Sequence, residues 1–243
     1  GWSALFWGMA ALVAIVSVMT LLWQEPPSGF HRDGATPPQW KDVLGVLARA
    51  LKSRSSTWLL LFIATYKVGE VMADVMFKPF LVDAGYSVAQ VGLWVGTWGM
   101  AFSLAGSFVG GMMASRVGLV RAVFITALAR AVAVALEAWL AFVGTSDVSV
   151  IGVTAYEHFA GGALTTAMFA LMMSRVDVRI GATHYTLLAT VEVLGKMPGA
   201  WFSGVIAEKL GFRALFSIAT VLSFAFLLLL IPISRTPKDS ELD

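Results

Sequence analysis

The sequence contains no cysteine, which excludes a disulfide framework, a thiolate metal site and a cysteine nucleophile. Charge is scarce: 13% of the 243 residues are Asp, Glu, Lys or Arg, about half of what a soluble domain carries. Histidine occurs only at His31, His158 and His184, too scattered for a metal cluster. HExxH, P-loop and GxSxG patterns are all missing, so no catalytic residue, metal or cofactor is expected. A net charge of +2 does not mark a nucleic-acid partner. What fills the sequence instead is apolar: 58% of residues are hydrophobic, against about 45–50% in soluble domains. Arranged in long runs, they describe a multi-pass integral membrane protein whose partners include lipid. In lipid every backbone polar group must be satisfied internally, and long apolar runs do this as helices, so the fold class is an all-α transmembrane bundle.

Seven spans are expected, over residues 2–23, 57–82, 88–114, 119–143, 148–174, 183–208 and 214–233. Each is long enough for a hydrocarbon core of about 30 Å. Ser87-Val88-Ala89-Gln90 is a capping-box pattern at the third span, Ser146-Asp147 caps the fifth and Thr183 the sixth. Residues 24–56 form the one long polar connection. Its first half reads as linker, and Trp40, Val43, Leu44, Leu47 and Leu51 then recur at helical spacing, giving an amphipathic surface helix over about 40–52. Residues 234–243 read as a polar tail.

With that linker inside, the cytoplasmic side collects Arg32, Lys41, Arg49, Lys52, Arg54, Arg116, Arg121, Arg175, Arg179, Arg235 and Lys238. Only Lys78, Lys209 and Arg213 fall outside. The bias places linker and C-terminus in the cytoplasm, in the plasma or inner membrane for a bacterial protein.

Gly1-Trp2-Ser3-Ala4-Leu5-Phe6 and Gly211-Phe212-Arg213-Ala214-Leu215-Phe216 open the first and last spans alike. This is the mark of two parallel repeats, as in six-plus-six transporters. The first span then corresponds to helix six of twelve, and residues 57–233 to helices seven to twelve. Helices one to five are expected as a missing N-terminal half.

Gly111-Met112-Met113-Ala114-Ser115-Arg116-Val117-Gly118-Leu119-Val120-Arg121 resembles the loop signature of the major facilitator superfamily, with Ser115 where the usual acid stands. Three further stretches carry a closer resemblance. They are Tyr66-Lys67-Val68-Gly69-Glu70, the run from His158 to Thr166, and Ala182-Thr183-His184-Tyr185 continuing to Lys196. They resemble the C-terminal half of the major facilitator superfamily domain-containing protein 3 group, which is related to acetyl-CoA transporters and AmpG-type muropeptide permeases. The resemblance implies proton-linked transport of a bulky anionic or sugar-peptide solute.

Charges at bilayer depth cost about 2.5–3.5 kcal/mol each on insertion scales, so they mark protein-lined or water-lined positions. Lys67, Glu70 and Asp74 fall at i, i+3 and i+7, on one helix face. Lys67, Glu157 and Glu192 each lie nine or ten residues into their spans, about 15 Å deep. In the superfamily arrangement their helices are seven, ten and eleven, which line the central cavity. Lys67 and Lys196 would attract the anionic groups of a solute. A carboxylate among Glu70, Glu157 and Glu192 would bind the coupling proton, and His158 or His184 would titrate near neutrality. The alternative is that Lys67–Glu70 and Glu192–Lys196 are closed ion pairs holding helices together. His184, near a helix start, suits a cap or interfacial role, and Asp74 a solvated one. Arg130 and Glu137 share a face of the fourth span, expected to be peripheral, and are expected as a structural pair. Tyr66, Tyr156, Tyr185, Trp98 and Trp201 are candidates for stacking on a sugar or base, or for packing. Gly195 and Gly199 permit close helix approach, and with Pro198 they form a candidate gate. A seven-helix receptor-like protein stays open as another reading, although the last span lacks a retinal-binding lysine. A half-transporter inactive on its own is a third.

Overall fold

A computed structural model describes residues 2–23, 54–176 and 180–235 of the protein. The expected linker, its amphipathic helix and most of the polar tail lie outside the described residues. Two compact units divide the chain, one over residues 1–43 and one over 44–243.

In the first unit, helix α1 (Trp2–Leu22) is unbroken and apolar. Two of its hydroxyls are satisfied within the helix. Ser17 donates to the Val13 carbonyl and Thr20 to the Val16 carbonyl, each at 2.8 Å. This is the hydrogen-bonding economy that lipid demands.

The second unit is a helical bundle. Its elements are α2 (Arg54–Thr65), α3 (Val68–Asp83), α4 (Val88–Val91), a π-helical segment (Gly92–Trp98), α5 (Gly99–Arg116), α6 (Leu119–Val143), α7 (Asp147–Ser174), α8 (Gly181–Leu227) and α9 (Leu230–Arg235). Among the described residues, α1, the continuous run 88–116, α6 and the run 181–233 are each long and apolar enough to cross a membrane. Segment 57–82 is interrupted, because helical pairing lapses at Tyr66–Lys67 between α2 and α3.

Local chemistry sets most boundaries. Ser87 and Gln90 form the expected capping box at α4, and Ser146 forms one with Ser149 at α7. Thr183 is no cap: α8 begins at Gly181, and Thr183 lies within its first turn. Gly118 (φ 90°) lets the chain reverse between α5 and α6 where an L-residue would be strained. Gly211 (φ 78°) does the same inside α8 and divides it into arms 181–210 and 212–227. The first arm covers the expected sixth span, and the second covers residues 214–227 of the expected seventh, whose remainder falls beyond α8. Both return to the same place on α3: Gly199 meets Val68, and Ala219 and Ser223 meet Gly69. The backbone stays helical through Pro198, so the kink is at Gly211 and not at the proline.

Glycine also sets how closely α5 and α7 pack. A Cβ on Gly106 would strike the Phe159 carbonyl, one on Gly110 the Ala163 carbonyl, and one on Gly162 the Ser103 carbonyl. Small residues allow this approach where no hydrophobic effect drives helices together.

Two apolar clusters build the interior. One gathers Leu59, Phe62, Ile63, Val123, Met168, Leu171 and Leu188. The other gathers Met72, Phe77, Leu81, Val134, Leu140, Val150 and Phe216. Passing from one to the other, α2–α3 crosses Lys67 and Glu70, and α6 crosses Arg130. At the same transition α7 crosses Glu157 and His158, and the first arm of α8 crosses Glu192. The charged residues therefore form a seam between two apolar layers.

Candidate functional site

Within that seam the charges divide into two clusters. The first surrounds Glu192, which is 4% exposed. Lys67 Nζ lies 3.0 Å from Glu192 Oε1, and Lys196 Nζ, one turn further along α8, lies 3.7 Å from the same oxygen. The Tyr66 hydroxyl donates to it at 3.4 Å. Tyr66 and Lys67 occupy the interruption between α2 and α3, and both side chains reach Glu192 on α8. Gly195 seats the two helices together, since a Cβ there would collide with the Ala64 carbonyl. Gly199 is similarly tight against Val68. These two glycines act as packing contacts, and Pro198 between them is exposed.

The second cluster surrounds Arg130, 3% exposed. Nη1 pairs with the Glu157 carboxylate and donates to the Glu157 carbonyl at 2.8 Å. Nη2 lies 2.5 Å from Asp74 Oδ1, and Nε lies 3.3 Å from Glu70 Oε1. Guanidinium is planar and offers its donors in a fixed fork, which suits a residue ringed by carboxylates. His158 Nδ1 contacts the Glu157 carboxylate and lies 3.1 Å from the Thr154 carbonyl. Both neighbours are acceptors, so Nδ1 carries a proton. The ring is also pressed against Gly99, where a Cβ would come within 2.5 Å of it.

A small cavity joins the clusters. Tyr66, Glu70 and Arg130 line it together with Phe62, Ser223 and Phe226, and it has room for about one water molecule. Glu70 Oε2, buried, has no hydrogen-bond partner among the described residues.

These positions revise several expectations. Lys67 pairs with Glu192 and not with Glu70, whose carboxylate faces Arg130. The Glu192–Lys196 pair forms, but with Lys67 as a third member. Arg130 and Glu137 make no ion pair: the guanidinium is taken by three other carboxylates, and both Glu137 oxygens lack a hydrogen-bond partner. Nor is α6 peripheral, since it supplies the centre of the larger cluster. The missed signal was depth: Arg130 lies eleven residues into its span, level with Glu157. Asp74 has 40% of its side chain exposed and is also an ion-pair partner of Arg130. His184 is buried within the first arm of α8. Tyr185 is partly buried against the first apolar cluster. Trp98 and Trp201 are exposed.

Comparison with known proteins places this arrangement. The Major Facilitator Superfamily profile matches residues 68–243. The anhydromuropeptide permease of Escherichia coli K12 is 28% identical over 234 residues, covering 94% of this chain and 47% of the permease. A putative transporter, AmpG 4, of Rickettsia conorii is 24% identical over 74% of this chain and 43% of its own length. Putative transporter AmpG 1 of Rickettsia felis is 23% identical over 72% and 40%. The chain thus spans less than half the length of these relatives. Matched by the superfamily over most of its residues, and similar along its length to permeases of the AmpG type, the chain belongs to the Major Facilitator Superfamily.

Proposed function

We propose that this chain forms the C-terminal part of a secondary transporter that moves a bulky anionic solute across a membrane together with protons. Residues 1–23 correspond to helix six of the complete protein and residues 57–233 to helices seven to twelve, with an N-terminal half supplying the opposite wall of the solute path. The linker and C-terminus face the cytoplasm. A muropeptide-like solute is favoured over acetyl-CoA, because the E. coli relative is an anhydromuropeptide permease.

The observation that carries this reading is the imbalance around Glu192. Two ammonium groups share one carboxylate oxygen at mid-bundle, so a positive charge is left over where burial makes charge costly. An anionic solute supplies the missing counter-charge. Lys67 and Lys196 keep 13% and 32% of their side chains exposed, so they remain approachable in a way that Arg130 does not. Glu192 is then the carboxylate that the solute displaces, and the acids around Arg130 stand ready for protons.

The test uses the full-length protein in proteoliposomes with a labelled anhydromuropeptide. Uptake should saturate and should respond to an imposed pH gradient. Lys67→Gln should weaken apparent affinity about tenfold to a hundredfold, since a hydrogen bond to a charged group contributes about 1.5–3 kcal/mol. Uptake by the wild type that ignores the gradient removes the proton from the reading, and unchanged affinity in Lys67→Gln removes this lysine from the solute path.

A further inference from the structure

We propose that Glu137 is the residue that carries the coupling proton, exchanging it with Asp74 as Arg130 changes partner. The proposal rests on the reading of the chain as part of a proton-coupled transporter.

Glu137 is fully buried, at 0% exposure, and neither carboxylate oxygen has a hydrogen-bond partner among the described residues. It is not isolated from other acids. Carboxylate oxygens of Glu137, Asp74 and Glu157 all lie within 4.8 Å of one another. Around them stand Glu70 from α3, Arg130 from α6 itself and His158 from α7. Arg213 on α8 is engaged elsewhere: its Nε donates to the Ala141 carbonyl at 2.9 Å, and its guanidinium faces the Phe142 ring. Four carboxylates therefore face one obligatory cation, Arg130, and one titratable imidazole, His158.

All four acids ionised would leave a buried net charge of about −2 to −3, a state that desolvation opposes by several kcal/mol per unpaired ion. Arg130 relieves it only in part: Nη1 and Nη2 already pair with Glu157 and Asp74, and Nε, 3.3 Å from Glu70 Oε1, completes no hydrogen bond there. A divalent cation among Asp74, Glu137 and Glu157 would lie beside that guanidinium and be repelled by it. A proton meets neither obstacle. On Glu137 it converts an unpartnered acceptor into an O–H donor, and a small side-chain rotation brings that donor to an Asp74 or Glu157 oxygen.

Asp74 provides the exit, being the one member of the cluster with a substantially exposed side chain, at 40%. The step balances as a plain proton transfer. The O–H bond on Glu137 breaks, one forms on the Asp74 carboxylate, Glu137 becomes the anion and Asp74 becomes neutral. Asp74 then releases Nη2 of Arg130, which takes up the new Glu137 carboxylate on its own helix. Reversal reloads Glu137 from Asp74.

The experiment compares wild type, Glu137→Gln and Glu137→Asp in the full-length protein. Labelled anhydromuropeptide is followed in two ways: accumulation driven by a pH gradient, and exchange with equal pH on both sides. Glu137→Gln should lose accumulation by about fivefold or more while exchange stays within about twofold of wild type. Glu137→Asp should recover part of the accumulation. Infrared spectra of the wild type at neutral pH should contain a buried protonated-carboxyl C=O band that Glu137→Gln removes. Normal accumulation in Glu137→Gln, or a wild type without that band, overturns the proposal. So does accumulation that requires sodium in place of a pH gradient. A wild type that shows the band but no response to pH defeats the transport reading and leaves Glu137 as a bound acid. Should Glu137→Gln fail to fold, the band in the wild type and the behaviour of Glu137→Asp still decide.

Discussion

Around Arg130, one guanidinium serves several carboxylates; around Glu192, one carboxylate serves two ammonium groups. The clusters share one seam and are separated by a cavity the size of about one water. Their charge imbalances have opposite sign, and so do the species that would relieve them. Surplus acid in a closed, rigid fork suits a proton, which needs no room. Surplus base on flexible lysine stems suits an anion, which does. Tyr66 and Glu70, at the cavity wall, give the two clusters a short physical connection.

Removing the centre of the acidic cluster should have the largest effect. Arg130→Met leaves buried carboxylates unpaired and should lower stability by about 3–5 kcal/mol, read as thermal unfolding in detergent. Adding Asp74→Asn and Glu157→Gln to that variant should recover part of the loss, and no recovery would break the assignment of Arg130 as a charge hub. The basic cluster should behave in the opposite way. Glu192→Gln removes the internal competitor of the solute, so apparent affinity should rise by up to about tenfold, or about 1.4 kcal/mol of released competition. A fall in affinity would make Glu192 a solute ligand instead. Tyr66→Phe deletes one hydrogen bond and should cost about 0.5–1.5 kcal/mol of stability. If the cavity links the clusters, it should also reduce the dependence of solute affinity on pH, which titration of uptake at several pH values would show. Smallest is Lys196→Gln: its pair at 3.7 Å is partly exposed, so the loss should be about 0–1 kcal/mol.

Much of this arrangement was legible in the sequence because membranes penalise charge so heavily. Each deep charge on an apolar run had to face protein or water, and Lys67, Glu70, Glu157 and Glu192 all do. Depth, counted at 1.5 Å per residue, placed them at one level. Partner choice was not legible. Sequence spacing offers only neighbours on the same helix, such as Lys67 with Glu70 or Arg130 with Glu137. Apart from Glu192–Lys196, the partners that hold the clusters together lie on other helices, 126 residues apart for Tyr66 and Glu192 and 56 for Asp74 and Arg130. Nor did periodicity reveal the interruption at Tyr66–Lys67, because an apolar run reads the same whether or not the helix through it is continuous. Glycine spacing did foretell close packing at Gly195 and Gly199, whereas the proline between them produced no bend.

At Gly211 the chain folds back on itself without spending residues on a loop, and both resulting arms rest on α3. Translation would deliver these arms to the membrane as a ready-made hairpin, neither half able to thread ahead of its twin. A protease working at that rim finds no slack chain between them to cut. An epitope inserted at Gly211 would have to pry the arms open to be seen, so surface labelling of this corner should report on assembly before it reports on topology.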